Sequence, residues 1–153
     1  MRRSNYRSRR SAPRAKRPTD RIIQGRTSNV AGSTELTIFQ WTATVPCTAT
    51  NFKLDIGSAT QDEIQVFPYV LVHVPQGYGT NSINYPSSPS LQLYEPTKNV
   101  LISGVVTDPT TEDHKWCRYG RKCQEGDSIA LIIKNPVVTS FECAWELSFT
   151  TVF

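Results

Sequence analysis

An all-β fold is what this sequence predicts: a single jelly-roll antiparallel β-sandwich preceded by a disordered basic N-terminal arm. Three observations predict it. From Thr34 onward apolar residues recur with period two, in short runs rich in Val, Ile, Thr and aromatics separated by Pro, Gly, Asn and Asp. No stretch of useful length carries the 3.6-residue period of a helix. Residues 1–20, MRRSNYRSRRSAPRAKRPTD, offer only Met1, Tyr6, Ala12 and Ala15 as apolar groups and contain two prolines, so they cannot build a core.

Taken in order, the first strand is expected over Leu36–Val45, where Thr37, Phe39, Trp41, Ala43 and Val45 share one face. Phe52–Ile56 is a second, short one. Ile64–Val74 is long, with Ile64, Val66, Val70, Val72 and Val74 on its even face and Pro68 marking an edge or a bulge. A loop rich in Pro and Gly, Pro75–Ser90, leads to a short candidate at Leu91–Tyr94. Strand signals resume at Val100–Thr107, Lys115–Lys122 and Ser128–Lys134, and the IALII run of the last is apolar enough for burial on both faces. The C-terminal run FECAWELSFTTVF alternates most clearly. Phe141, Cys143, Trp145, Leu147 and Phe149 face one way, and Glu142, Ala144, Glu146, Ser148 and Thr150 the other. Seven or eight strands in roughly 120 residues match the spacing of a two-sheet sandwich, and there is no internal repeat of the kind that marks a propeller or solenoid.

The 153 residues suit one folded unit. Their net charge of +4 conceals an uneven distribution. Residues 1–26 hold ten basic side chains against one acid, net +9, whereas residues 27–153 hold seven basic against twelve acidic, net −5. Opposite signs in two segments indicate two tasks. The expected division is an arginine-rich nucleic-acid-binding arm over 1–26, a polar linker over 27–33 within the stretch GRTSNVAGS, and a shell domain over 34–153.

No run approaches the ~18 consecutive apolar residues of a membrane span, and the N-terminus has no apolar core of a secretory signal, so no membrane insertion is expected. An amphipathic transit peptide is excluded because the arm has no apolar face. The four cysteines, Cys47, Cys117, Cys123 and Cys143, are few and scattered, which fits packed thiols better than a disulfide framework. The Asn-x-Ser/Thr sequon is absent.

Arginine guanidinium groups stay charged and fork onto phosphate oxygens, so Arg2, Arg3, Arg7, Arg9, Arg10, Arg14, Lys16 and Arg17 are the candidate nucleic-acid-binding residues. An extended arm of this length reaches about 90 Å at ~3.5 Å per residue. The same run can serve as a nuclear-localisation signal or a solubilising tail. A second, smaller basic patch, Arg118, Arg121 and Lys122, is interleaved with Trp116 and Tyr119; it reads either as a stacking platform for nucleotides or as the charged outer face of a strand.

Catalytic signals are thin, and no enzyme activity is expected. His73 and His114 have no nucleophile motif beside them. His114, Cys117, Cys123 and Cys143 match no zinc spacing, and Gly77-Tyr78-Gly79 lacks the rest of a dinucleotide fingerprint, so neither a metal nor a cofactor is expected.

Three segments, VLVHVPQGYGTN ending at Asn81, LYEPTKNVLISGVV over 93–106 and RYGRKCQEGDSIALII over 118–133, together with the arginine-rich start, resemble the capsid proteins of circovirus-like single-stranded DNA viruses, which are circular and encode a replication protein. The resemblance implies a single jelly roll, a small icosahedral shell of many copies of the chain, an inward-facing arm on viral nucleic acid, and host nuclear import factors as further partners, with the virion and the host nucleus as locations. It favours single-stranded DNA, while RNA satellite viruses have coat proteins of similar size and design. On the order of 60 copies would bring on the order of 500 positive charges to one shell. The alternative is a non-viral β-sandwich binding module with a basic nuclear-targeting tail.

Overall fold

The alternating Val, Ile, Thr and aromatic side chains do extend the chain. In the computed structural model, which describes residues 18–59, 66–77, 99–107 and 112–153, they form β1 (Thr19–Val30), β2 (Glu35–Thr42), β3 (Cys47–Ser58), β4 (Phe67–Val74), β5 (Val100–Val106), β6 (Asp113–Cys117), β7 (Arg121–Cys123), β8 (Ser128–Lys134) and β9 (Phe141–Val152). Their pairing is that of one long hairpin: β1 with β9, β2 with β8, β3 with β7 and β6, and β4 with β5, all antiparallel. Rolled on itself, the hairpin brings β9 beside β3 and β8 beside β4. One sheet is therefore ordered β1-β9-β3-β6, with β7 also on β3, and the other β2-β8-β4-β5. This winding is a jelly roll.

The inner faces meet in a core built from Phe39, Phe52, Leu54, Ile56, Phe67, Tyr69, Leu71, Ile129, Leu131, Ile133, Trp145, Leu147 and Phe149. Phe149 is its junction. Its ring lies 5.2 Å from Phe52 in its own sheet and 5.4 Å from Trp41 in the facing one. Tyr69, fully buried, donates its hydroxyl hydrogen to Asp113 and so ties β4 to β6 across the two sheets. Its cross-strand partner is Gly104, where a Cβ would collide with the phenol, so the glycine makes room for the ring.

Ser128–Lys134 forms the expected strand, buried on both faces as its IALII run implies. Of the strand expected over Ile64–Val74, β4 takes Phe67–Val74 and is likewise buried on both faces, whereas Val66 precedes it 44% exposed and Ile64 lies outside the described residues. Val70, Val72 and Val74 form a second apolar cluster with Ala130 and Ile132, while the odd residues Phe67, Tyr69 and Leu71 enter the main core. Pro68 stands next to the strand's start rather than on a sheet edge. Its missing N–H is harmless because pairing with β8 begins only at Tyr69.

Four expectations need correction or fall elsewhere. Residues 19–30, assigned from composition to the arm and linker, form β1 and pair with β9 from Thr19↔Val152 to Val30↔Phe141. Only Val30 of that strand is fully buried and Ile22 partly so, so backbone pairing to β9 holds it more than an apolar face does, and period-two patterning cannot reveal it. Lys115–Lys122 is two strands, interrupted after Cys117 and resuming at Arg121. In β2 a register shift between Thr37 and Phe39 lets both Ile38 and Phe39 be buried, and Val45 lies beyond the strand's end, 46% exposed. The short candidate at Leu91–Tyr94 and most of the loop before it lie outside the described residues.

The thiols are free, and three are buried. Burial pushes Cys123 up to about 11 and Cys143 up to about 12. Because only the thiolate attacks an alkylating reagent, half-buried Cys117 should be labelled first by iodoacetamide under native conditions, with Cys143 protected until unfolding. Peptide mapping after timed labelling checks this; early modification of Cys143 would contradict the packing.

A polar hub closes one end of the sandwich. The Asp127 carboxylate accepts hydrogen bonds from the amides of Gln76 (2.9 Å) and Gln124 (2.9 Å), and its second partner class is His73, whose Nε2 lies 3.0 Å away. Burial pushes this carboxyl up, but the two amides and His73 together outweigh it and hold it below its ordinary value. A depressed carboxyl contributes stability above the unfolded value, near 3.8, that is lost as pH falls through the folded one. Asp127→Asn should therefore lower stability by about 2 kcal/mol at neutral pH. The gap to the parent should close below about pH 4. Urea titrations across pH check this, and a gap independent of pH would be the contrary result.

Candidate nucleic-acid interface

Arg2, Arg3, Arg7, Arg9, Arg10, Arg14, Lys16 and Arg17 lie outside the described residues. The structure does show where they join the domain. Thr19 begins β1, the edge strand of the first sheet, and the carbonyl of Pro18 accepts a hydrogen bond from the Phe153 amide at 3.1 Å. The arm is thus rooted at one end of that sheet's edge.

The outer face of the same sheet carries a row of side chains near this root. Arg21 is opposite Thr150, Thr150 is opposite Thr50, Ser148 is opposite Lys53, and Lys53 is opposite Trp116, so four strands contribute in turn. Lys53 is in this row because of a break in the alternation. Cys47 and Ala49 face the core, and the register shifts between Thr50 and Lys53, where Asn51 adopts a left-handed φ of 56°. Asparagine tolerates that conformation better than most residues. The extra residue sends Phe52 into the core and Lys53 outward.

The row encloses a cleft of about 330 Å³, lined by Arg21, Asn51, Lys53 and Trp116 over a floor of Ser148, Phe149 and Thr150. Trp116 is 56% exposed, an unusual position for so large an apolar ring. Two cations attend it: the Arg118 guanidinium lies 4.0 Å from the ring centroid and the Lys53 ammonium 5.8 Å. Of the second patch read from sequence, Arg118 thus joins this site, and Lys122 sits opposite outward-facing Thr48. Arg121 is directed elsewhere, donating to Asn99 Oδ1 at 2.7 Å. Arg21 and Lys53 were not singled out in sequence. Lys53 stands between Phe52 and Leu54 in an alternating run, which is the one signal that could have found it.

The far end of the same face has the opposite character. Asp55, Glu112 and Glu146 line a second cleft of about 450 Å³ in which Arg26 is the one cation. His114 Nδ1 lies 2.6 Å from the Asp55 carboxylate, and that hydrogen bond, together with the charges of Asp55, Glu112 and Asp113, holds the imidazole above its usual value. Formal charge is thus net negative at this end of the face and net positive at the end where residue 18 joins.

His73 and Asp127 form a buried pair, but the nearest hydroxyl in sequence, Ser128, bonds Thr42 at 2.9 Å and Gln40 at 3.3 Å on the opposite face of the sheet. Among the described residues no group of three His, Cys, Asp or Glu side chains could hold a metal ion. No helix among them is long and apolar enough to cross a membrane.

No protein-family model and no curated protein matches this chain. Solved structures do. A chain from the structure of infectious bursal disease virus, Gx strain, superimposes with a TM-score of 0.45 at 11% identity, over 89% of this chain and 32% of that one. A chain of the VP2 subviral particle of infectious bursal disease virus gives 0.49 at 10% identity, over 90% of this chain and 33% of its own. The present chain spans about a third of the length of both.

Proposed function

We propose that this chain is a structural coat protein that self-assembles into a small icosahedral shell and packages a single-stranded DNA genome through its arginine-rich N-terminal arm. The observation that carries the reading is the segregation of charge: +9 in residues 1–26 against −5 in the remainder, with the arm rooted on one edge of a jelly roll. An arm of this kind binds phosphates without reading sequence, and an acidic shell avoids trapping nucleic acid elsewhere. The three sequence segments shared in order with circovirus-like capsid proteins favour DNA over RNA, a nuclear phase and import factors as partners.

Negative-stain microscopy of the purified chain with single-stranded DNA at low salt tests it. Closed particles of uniform diameter are expected. Monomers without particles would overturn the assignment and leave a β-sandwich binding module with a basic tail. Binding should also weaken steeply with salt. Full engagement of the eight basic residues up to Arg17 corresponds to a log–log slope of about −6 for a single strand, measured by filter binding.

A further inference from the structure

We propose that the cleft between Arg21, Lys53 and Trp116 is a binding site for an unpaired nucleobase, so that the shell domain itself holds single-stranded nucleic acid by stacking as well as by charge. The inference rests on the reading that this chain packages a single-stranded genome. It adds a contact made by the folded domain.

Three features of the site support it. The first is Trp116, whose ring is more than half exposed on a strand face, where it gains nothing from the core. Arg118 and Lys53 lie over the ring at 4.0 and 5.8 Å, and a base stacks on the indole by taking the place of one of these long, exposed side chains, whose charge then meets the flanking phosphate. The second is the row across the sheet. From β1 to β6 the strands are three spacings apart, roughly 14 Å, with Arg21 at one side and Lys53 and Trp116 at the other. A base on the indole therefore places its flanking phosphates within reach of guanidinium and ammonium groups. The floor of Ser148 and Thr150 adds hydroxyls that can donate to phosphate or base edge.

The third feature is location. The cleft lies on β1 two residues beyond Thr19, where the arm joins, and the acidic cleft of Asp55, Glu112 and Glu146 occupies the other end of the face. A strand gathered by the arm is thus delivered to the basic end and kept from the acidic one. A duplex offers no free base face to the indole, so the site selects single strands.

The full-length protein can be tested without any variant. Trp116 is the most exposed of the tryptophans in the described residues, so oligothymidylate stacked on it should quench intrinsic fluorescence. An abasic oligonucleotide of equal length and charge, and a duplex, should bind through the arm without quenching. Trp116→Leu should remove the quenching and lower affinity for oligothymidylate about tenfold while leaving the abasic oligomer unaffected. Lys53→Gln should weaken oligothymidylate without removing the quenching at saturation. Equal affinities and equal fluorescence for the thymidylate and abasic oligomers would overturn the stacking site while leaving the arm's role intact. Failure to bind any of the three probes at low salt would instead refute the packaging role itself.

Discussion

Phe149→Ala is expected to bring the domain close to unfolding at room temperature. The side chain is 1% exposed and touches both layers: Phe52 at 5.2 Å, Trp41 at 5.4 Å and Phe39 at 6.4 Å between ring centroids. Truncation removes the transfer energy of a buried ring and leaves a cavity that rigid strands from two sheets cannot collapse to fill. Such changes cost about 3–5 kcal/mol. A domain of this size has about 5–15 kcal/mol in total, so the variant loses a large share of its margin. Phe149→Leu keeps most of the volume and should cost clearly less. Urea unfolding followed by far-ultraviolet circular dichroism checks the series. A loss below about 1 kcal/mol for the alanine variant would mean that the two sheets are not joined through this ring.

The fold was legible where burial dictates residue type. Ser128–Lys134 reads as a strand because apolar neighbours on both faces admit only apolar side chains, and Phe141–Val152 because one face is packed and one is wet. β1 was hidden for the opposite reason: its pairing energy resides in backbone groups, which every residue carries. Its Arg21 and Arg26 therefore read as continuing the basic arm, although Arg26 actually donates to the Ile38 carbonyl at 2.8 Å and lies 5.9 Å from the Trp145 ring.

The site was half legible. Arg118 and Trp116 are neighbours in sequence and remain neighbours in space. Lys53 joins them only through the bulge at Asn51, which reverses the inside-outside parity of β3; counting by twos from Cys47 would have turned Phe52 outward. Two of the segments that carry the family resemblance have an architectural role here. The backbone amide of exposed Gln76 in the VPQG segment bonds the buried Asp127 carboxylate of the EGDS segment, and the Gly126 position, with φ of 87°, lies against the Gln76 side chain where a Cβ would collide. Gln76 and Asp127 in these two segments thus help close the sandwich, while of the residues lining the basic cleft Arg21, Lys53 and Trp116 fall outside all three segments.

Two truncations separate the arm from the strand. Removal of residues 1–17 takes away eight basic side chains and leaves β1 whole, so the thermal midpoint should match that of the full chain while retention of single-stranded DNA at moderate salt is lost. Removal of residues 1–26 also deletes Thr19 to Arg26, which pair with Val152 to Trp145, and with them Ile22 against the core and Arg26 over Trp145. It uncovers the outer edge of β9, a central strand of that sheet whose inner face is apolar from Phe141 to Phe149. An unpaired central strand both loses stability and recruits other chains. The longer truncation should therefore unfold at a markedly lower temperature and aggregate, whereas the shorter one stays soluble. Differential scanning calorimetry with light scattering distinguishes them. Equal midpoints for the two would place the start of the folded domain after Arg26 and remove β1 from the structure that matters for stability.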